Sequence, residues 1–164
     1  MKRYLHQIIL FCLLGITCLE AAVFPHLLDS FFPRGYSYPL QPGTPEWQEL
    51  AQEDFSKVIE ACQIPEDLLE RMSTEDLIYS VLRYPFNMNL ASGNTPRAGY
   101  FWASLNSNAY PELEARRDAP EMLVKVFTQF QVPDYQDIDR RKELHYLERI
   151  VLEDIYWNQF SESR

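Results

Sequence analysis

The sequence predicts an all-α protein, a compact array of about six to seven short helices with a longer C-terminal helix, in a single domain. Three observations carry this. Apolar residues recur at three- and four-residue steps through most of the chain, as one buried helix face requires. A capping side chain followed by proline and acids opens the segments at Thr44-Pro45-Glu46 and Asp118-Ala119-Pro120-Glu121. There proline's missing N–H costs nothing and the acids meet the positive end of the helix dipole. No segment alternates with period two for long enough to argue a strand.

The N-terminus carries a different signature. Met1, Lys2 and Arg3 precede an apolar run from Ile8 to Ile16, which gives way to Thr17-Cys18-Leu19-Glu20-Ala21-Ala22. This is the layout of a secretory signal peptide, expected to span residues 1–21 with cleavage after Ala21. The run is about nine residues against the roughly 20 needed to cross a bilayer as a helix. The chain is therefore expected to be exported, secreted or periplasmic. Cys18, in Leu14-Gly15-Ile16-Thr17-Cys18, approximates a lipoprotein signal and is the candidate lipidation residue; the alternative is a passive Cys in a removed segment. Contact with a membrane is expected only through that lipid anchor.

Residues 22–43 form a proline-rich extended linker, broken by Pro25, Pro33, Pro39 and Pro42. Phe24, Phe31, Phe32, Tyr36 and Tyr38 are too many aromatics for a wholly disordered tether, so part of it is expected to pack. The helical domain is expected over 44–160, with a C-terminal tail at 161–164. Its first helix carries the stripe Trp47, Leu50, Ala51, Phe55, Val58, Ile59 and Cys62. Pro65-Glu66-Asp67 starts a short second helix with Leu68, Leu69 and Met72. Ser73, with Asp76 three residues on, makes a variant capping box for a third, which buries Leu77, Ile78, Val81 and Leu82 and stops at Tyr84-Pro85. Phe86 to Thr95, marked by Asn87, Asn89, Gly93 and Asn94, reads as loop or a frayed turn. Pro96 begins a helix through Asn106, with Phe101, Leu105 and either Tyr100 or Trp102 inward. A helical turn surrounds Leu113, and the next stripe is Met122, Leu123, Val126, Phe127 and Phe130. A long amphipathic stretch from about Asp137 to Phe160 closes the domain.

Removing residues 1–21 takes away Lys2, Arg3 and Glu20, so the formal net charge moves from -9 to -10. An acidic chain is repelled by phosphate backbones, which makes nucleic acid an unexpected partner. The basic pairs at Arg116-Arg117 and Arg140-Arg141-Lys142 lie among acids at helical spacing and read as a solvated ion-pair face. Of the three cysteines, Cys12 and Cys18 fall in the signal, leaving Cys62 as a small buried hydrophobe and no disulfide framework.

Met72 to Phe86 (MSTEDLIYSVLRYPF), Asn108 to Phe127 (NAYPELEARRDAPEMLVKVF) and Leu144 to Trp157 (LHYLERIVLEDIYW) resemble, in that order, segments of uncharacterised signal-peptide-bearing proteins of anaerobic, often gut-dwelling, bacteria. The entry at Pro42 to Pro45 is similar too, and the resemblance covers most of 42–157. Asn87 to Arg97 departs from it, being more apolar in those proteins. The resemblance implies export and a helical domain; it supplies no catalytic residue.

The mature chain offers little catalytic chemistry. His26 and His145 are its only histidines, and His145 with Glu148 lacks further ligands in pattern, so no metal or cofactor is expected. No phosphate loop and no Gly-x-Ser-x-Gly elbow is present. The one constellation suited to binding is the aromatic and amide run Tyr100, Trp102, Asn106, Asn108 and Tyr110, since rings supply apolar faces and amides fix orientation. The expected function is an exported, non-catalytic helical binding or scaffold module of the cell envelope, with a protein or carbohydrate partner. The alternative is a small envelope enzyme, a carboxylate-dependent hydrolase whose site is assembled from distant residues.

Export is tested directly. Mass spectrometry of the mature protein is expected to find its N-terminus near Ala22, or a lipid-modified Cys18; intact Met1 recovered from the cytoplasm would refute a cleaved signal.

Overall fold

Capping chemistry sets where the helices begin. In the computed structural model, which describes residues 34–88, 90 and 95–162, Thr44 Oγ1 accepts from the Trp47 amide at 3.3 Å and starts α1 (Pro45–Glu53). The expected signal segment, the candidate lipidation residue Cys18, the linker as far as residue 33 and residues 163–164 lie outside the described residues. The first stripe is not one helix. Asp54 leaves helical geometry, closes α1 with its own N–H and caps α2 (Phe55–Ala61) by accepting from the Ser56 amide at 2.9 Å. Hydrogen bonding of both kinds to the Asp54 carboxylate holds its pKa below the ordinary value.

α3 (Glu66–Arg71) follows Pro65, and the variant capping box at the start of α4 (Thr74–Leu82) is formed: Ser73 Oγ accepts from the Asp76 amide at 3.1 Å. α5 (Pro96–Asn106), α6 (Ala109–Ala115), α7 (Ala119–Gln129), α8 (Ile138–Val151) and α9 (Asp154–Glu162) complete the order. The fold is all-α, with the longest of these helices, α8, near the C-terminus. The stretch expected to run unbroken to Phe160 is divided at Leu152-Glu153, so α9 is a separate helix. Asp118 does not cap α7 with its side chain; its Oδ1 accepts from Thr74 Oγ1 at 2.9 Å and ties the start of α7 to the start of α4.

α4 is the hub, packing against α6, α7 and α8, while α7 also meets α8 and α9. Its buried face, Leu77, Ile78, Val81 and Leu82, meets Leu113, Leu123, Val126, Leu147 and Ile150 in one core. Arg116 forms the ion pair expected at helical spacing, with Glu112 at 2.9 Å, but on a half-buried rather than a solvated face: its guanidinium also donates to the carbonyls of Leu69 (3.0 Å) and Met72 (2.6 Å), satisfying the end of α3. Arg140 and Lys142 do form the expected ion pairs at helical spacing, with Glu143 and Asp139, and Arg83 of α4 also pairs with Glu143.

The last part of the linker belongs to this compact unit, which runs from Gly35 onward. Gly35 has φ +83°, and a Cβ there would lie 2.7 Å from the Ser80 amide nitrogen, so only glycine lets the chain pass so close to α4. The next residue donates its N–H to Ser80 Oγ at 2.8 Å. Tyr38 is buried, edge-on to Tyr36 and Tyr84 with centroids 5.0 and 5.7 Å away. Among the described residues its hydroxyl is the one buried side-chain polar atom without a hydrogen-bond partner. Cys62 is fully buried and unpaired, and burial pushes its thiol up to about 11.

Packing rather than bridges holds the domain together. Leu77→Ala or Leu123→Ala is expected to cost about 2–5 kcal/mol in denaturant unfolding, and Cys62→Ala distinctly less because fewer buried atoms are lost. Tyr38→Phe is expected to leave stability unchanged or raised, since it removes a desolvated hydroxyl that gains nothing in the folded state. A large loss in Tyr38→Phe would contradict this account.

Candidate functional site

The aromatic and amide run divides between core and surface, and not as its apolar pattern predicts. Phe101 and Leu105, expected inward, are 61% and 67% exposed, while Gly99, Tyr100 and Ala103 face the core. The physical reason is the space between helices. Gly99 and Ala103 present no bulk on the side where α6 and α8 approach α5, and the intervening Tyr100 reaches partners that a Phe or Leu could not use. Its hydroxyl donates to Glu114 Oε1 at 2.9 Å and lies 2.8 Å from the Tyr156 hydroxyl. Because Tyr100 has one proton and the carboxylate only accepts, Tyr156 donates to Tyr100.

Tyr110 is wholly buried, and its hydroxyl donates to Asn87 Oδ1 at 2.7 Å; Asn87 in turn donates to the carbonyls of Val81 and Leu82 at the end of α4. Both rings are buried, and burial raises the pKa of Tyr100 and Tyr110 well above the ordinary value. Tyr100 and Tyr110 therefore do not belong to a ligand surface. Trp102 is half-buried against Phe86, with centroids 5.7 Å apart.

The amides are also engaged. Asn108 pairs with the backbone of Ile64 in both directions, Oδ1 accepting from its N–H at 3.0 Å and Nδ2 donating to its carbonyl at 2.7 Å. Gln63 Oε1 accepts from the Asn108 amide at 2.8 Å, and Gln63 Nε2 donates to the Asn106 carbonyl at 2.9 Å. Asn106 Nδ2 donates to the Trp102 carbonyl at 2.7 Å, closing the last turn of α5. This polar clamp joins the corner between α2 and α3 to the corner between α5 and α6. Gln63 is its unpredicted member; the signal for it was a polar residue directly after the buried Cys62 and before Pro65.

Above the clamp lies a shallow groove of about 470 Å³. Ser56, Ile59 and Glu60 of α2 form one wall, Ser104 and Leu105 of α5 the other, and Pro111 of α6 closes one end. Leu105 and Phe101, one turn apart on α5, continue the apolar surface outward as a ridge. Phe55, 48% exposed at the start of α2, stands edge-on to Phe86 at 5.6 Å.

A second cleft of about 540 Å³ separates Gln41 and Pro42 from the end of α4 and from α8. Its charges are paired with one another, Arg83 with Glu143 at 3.0 Å and Lys142 with Asp139 at 3.1 Å. Carboxylates meet elsewhere, at the joint of α8 and α9. Burial raises the Glu153 pKa; Arg97 opposes the shift, and Asp154 and Glu114 add to it. Among the described residues no group of three or more His, Cys, Asp or Glu is placed to hold a metal ion, and no helix is long and apolar enough to cross a membrane. Comparison with protein-family models, with curated proteins and with solved structures finds no match.

The Glu153 environment has a pH signature. Its folded-state pKa is raised above the ordinary 4.5, so the folded chain binds this proton more tightly than the unfolded one does. The stability contribution is fully present below the unfolded pKa and is lost as pH rises through the folded pKa. Glu153→Gln is therefore expected to raise Tm at neutral pH and to lose that advantage in acid. A Tm difference independent of pH would contradict the assignment.

Proposed function

We propose that the chain is an exported, non-catalytic binding or scaffold module of the cell envelope, and that it engages its partner through the groove between α2 and α5. One observation carries the reading: Phe101 and Leu105 project two large apolar side chains into solvent beside a preformed concavity, on a helix whose opposite face is locked into the core. Lone exposed apolar residues are ordinary on a protein surface, whereas an apolar ridge next to a groove is the arrangement that association exploits. The signal-like start of the chain supports export, and the resemblance to signal-peptide-bearing bacterial proteins supports the envelope as the place of action.

A small envelope hydrolase is the second reading. The half-buried Glu153, its pKa raised chiefly by burial and slightly by the charges of Asp154 and Glu114, is the observation that favours it. The binding reading is preferred because neither the groove nor the second cleft is lined by Glu153 or Glu114.

Site-specific photo-crosslinking in the producing cell tests the proposal. A photoreactive residue at Leu105 or Phe101 is expected to give a discrete adduct with an envelope component, and one at the exposed Glu70 on α3 to give none. Adducts that do not depend on position, or a chain confined to the cytoplasm, would overturn it.

A further inference from the structure

The groove between α2 and α5 has a recognisable chemistry once its satisfied groups are set aside. Ser56 Oγ donates to Asp54 Oδ1 at 2.7 Å, and Ser104 Oγ donates to the Phe101 carbonyl at 2.8 Å. The side-chain amides of Gln63 and Asn108 are spent in the clamp, and the Asn106 Nδ2 is spent on the Trp102 carbonyl. What remains for a partner is the apolar surface of Ile59, Leu105 and Pro111, and one carboxylate, Glu60. Glu60 is exposed and, among the described residues, forms no salt bridge; the nearby Lys57 is paired with Glu53 at 3.5 Å. No Lys or Arg lines the groove.

This inventory discriminates between occupants. A carbohydrate needs many converging donors and acceptors, and the clamp and the helix turns have already used most of those that line the groove. A second copy of the chain would bring Glu60 against Glu60, on molecules that each carry a formal net charge of -9. A segment with an apolar anchor beside a cationic residue satisfies both features at once. Resting on the binding reading above, we propose that the groove receives a basic amphipathic segment of a partner protein, with a Leu-like anchor seated against Ile59 and Leu105 and a neighbouring Lys or Arg paired with Glu60.

The test uses the full chain and two fluorescein-labelled peptides with the same leucine pattern, one carrying lysines and the other glutamates at the remaining positions. Binding is read by anisotropy and located by amide chemical shifts. The Lys/Leu peptide is expected to bind and to move the resonances of Ile59, Glu60, Ser104 and Leu105, with affinity falling as salt rises. Leu105→Asp is expected to weaken it about tenfold or more, and Glu60→Lys about two- to fivefold, the effect of one exposed ion pair. Both residues are exposed, so both variants are expected to keep the parent Tm.

Equal binding of the Glu/Leu peptide, still sensitive to Leu105→Asp, would overturn the partner chemistry while leaving the groove as the binding surface. Indifference of both peptides to Leu105→Asp would overturn the groove reading itself. Shifts of the same amides on addition of chitohexaose, without any response to the Lys/Leu peptide, would replace a basic segment with a glycan. Self-association through Leu105 would replace it with a second copy.

Discussion

Four buried tyrosine hydroxyls are paired inside the core, with Tyr38 the one exception among the described residues, and that pairing runs through the structure. Tyr84, Tyr100, Tyr110 and Tyr156 are all buried, and each hydroxyl is hydrogen-bonded to a group on another segment: Asn106, Glu114, Asn87 and Tyr100. An aliphatic core tolerates small rotations of its helices. A core of tyrosines does not, because a misplaced hydroxyl loses water without gaining a partner, a loss of about 1–3 kcal/mol each. The rings also stack edge-on in a chain from Tyr38 through Tyr84 and Tyr110 to Tyr100 and Tyr156, with centroid separations from 5.3 to 6.4 Å. Helix rotation about this chain is thus specified by polar atoms inside an apolar interior.

The consequence for the surface follows from geometry. With Tyr100 turned toward Tyr156 and Glu114, the residues on the far side of α5 must point out, and those are Phe101 and Leu105. The ridge is therefore a by-product of a core contact, retained as exposed apolar area. The clamp of Gln63 and Asn108 then fixes α2 at a set distance from the end of α5, so the concavity between them is preformed rather than made on binding. The amides that hold the walls together are no longer offered to a ligand, which leaves shape, apolar contact and the Glu60 charge as the means of recognition.

Stability rests on the same core without covalent help. Cys62 is unpaired and buried, so the unit from Gly35 onward depends on helix packing around α4 and on ties between helix ends. Arg116 at the end of α3 and Asp118 bonded to Thr74 are two such ties, each satisfying a terminal or polar group that would otherwise be unpaired in a half-buried place.

Local chemistry was legible in the residues alone. The cap at Thr44, the capping box of Ser73 and Asp76, the proline starts of α1 and α5, the inward face of α4 and the burial of Cys62 follow from interactions within one or two turns of helix, and the all-α class follows from their sum. Three features were decided by tertiary structure. The helices break at Asp54 and at Leu152-Glu153 although the apolar pattern runs on through both. To its own-helix pair with Glu112, Arg116 adds bonds to the end of α3, and Asp118 bonds to α4 instead of capping its own helix. The face of α5 was reversed, since an apolar stripe ranks residues by hydrophobicity, whereas burial also demands room for the approaching helix and a partner for every polar atom. Gly99, Ala103 and the Tyr100 hydroxyl met both demands; Phe101 and Leu105 did not. The sequence by itself thus determined which segments are helical, and only long-range packing determined which of their faces the protein shows to the outside.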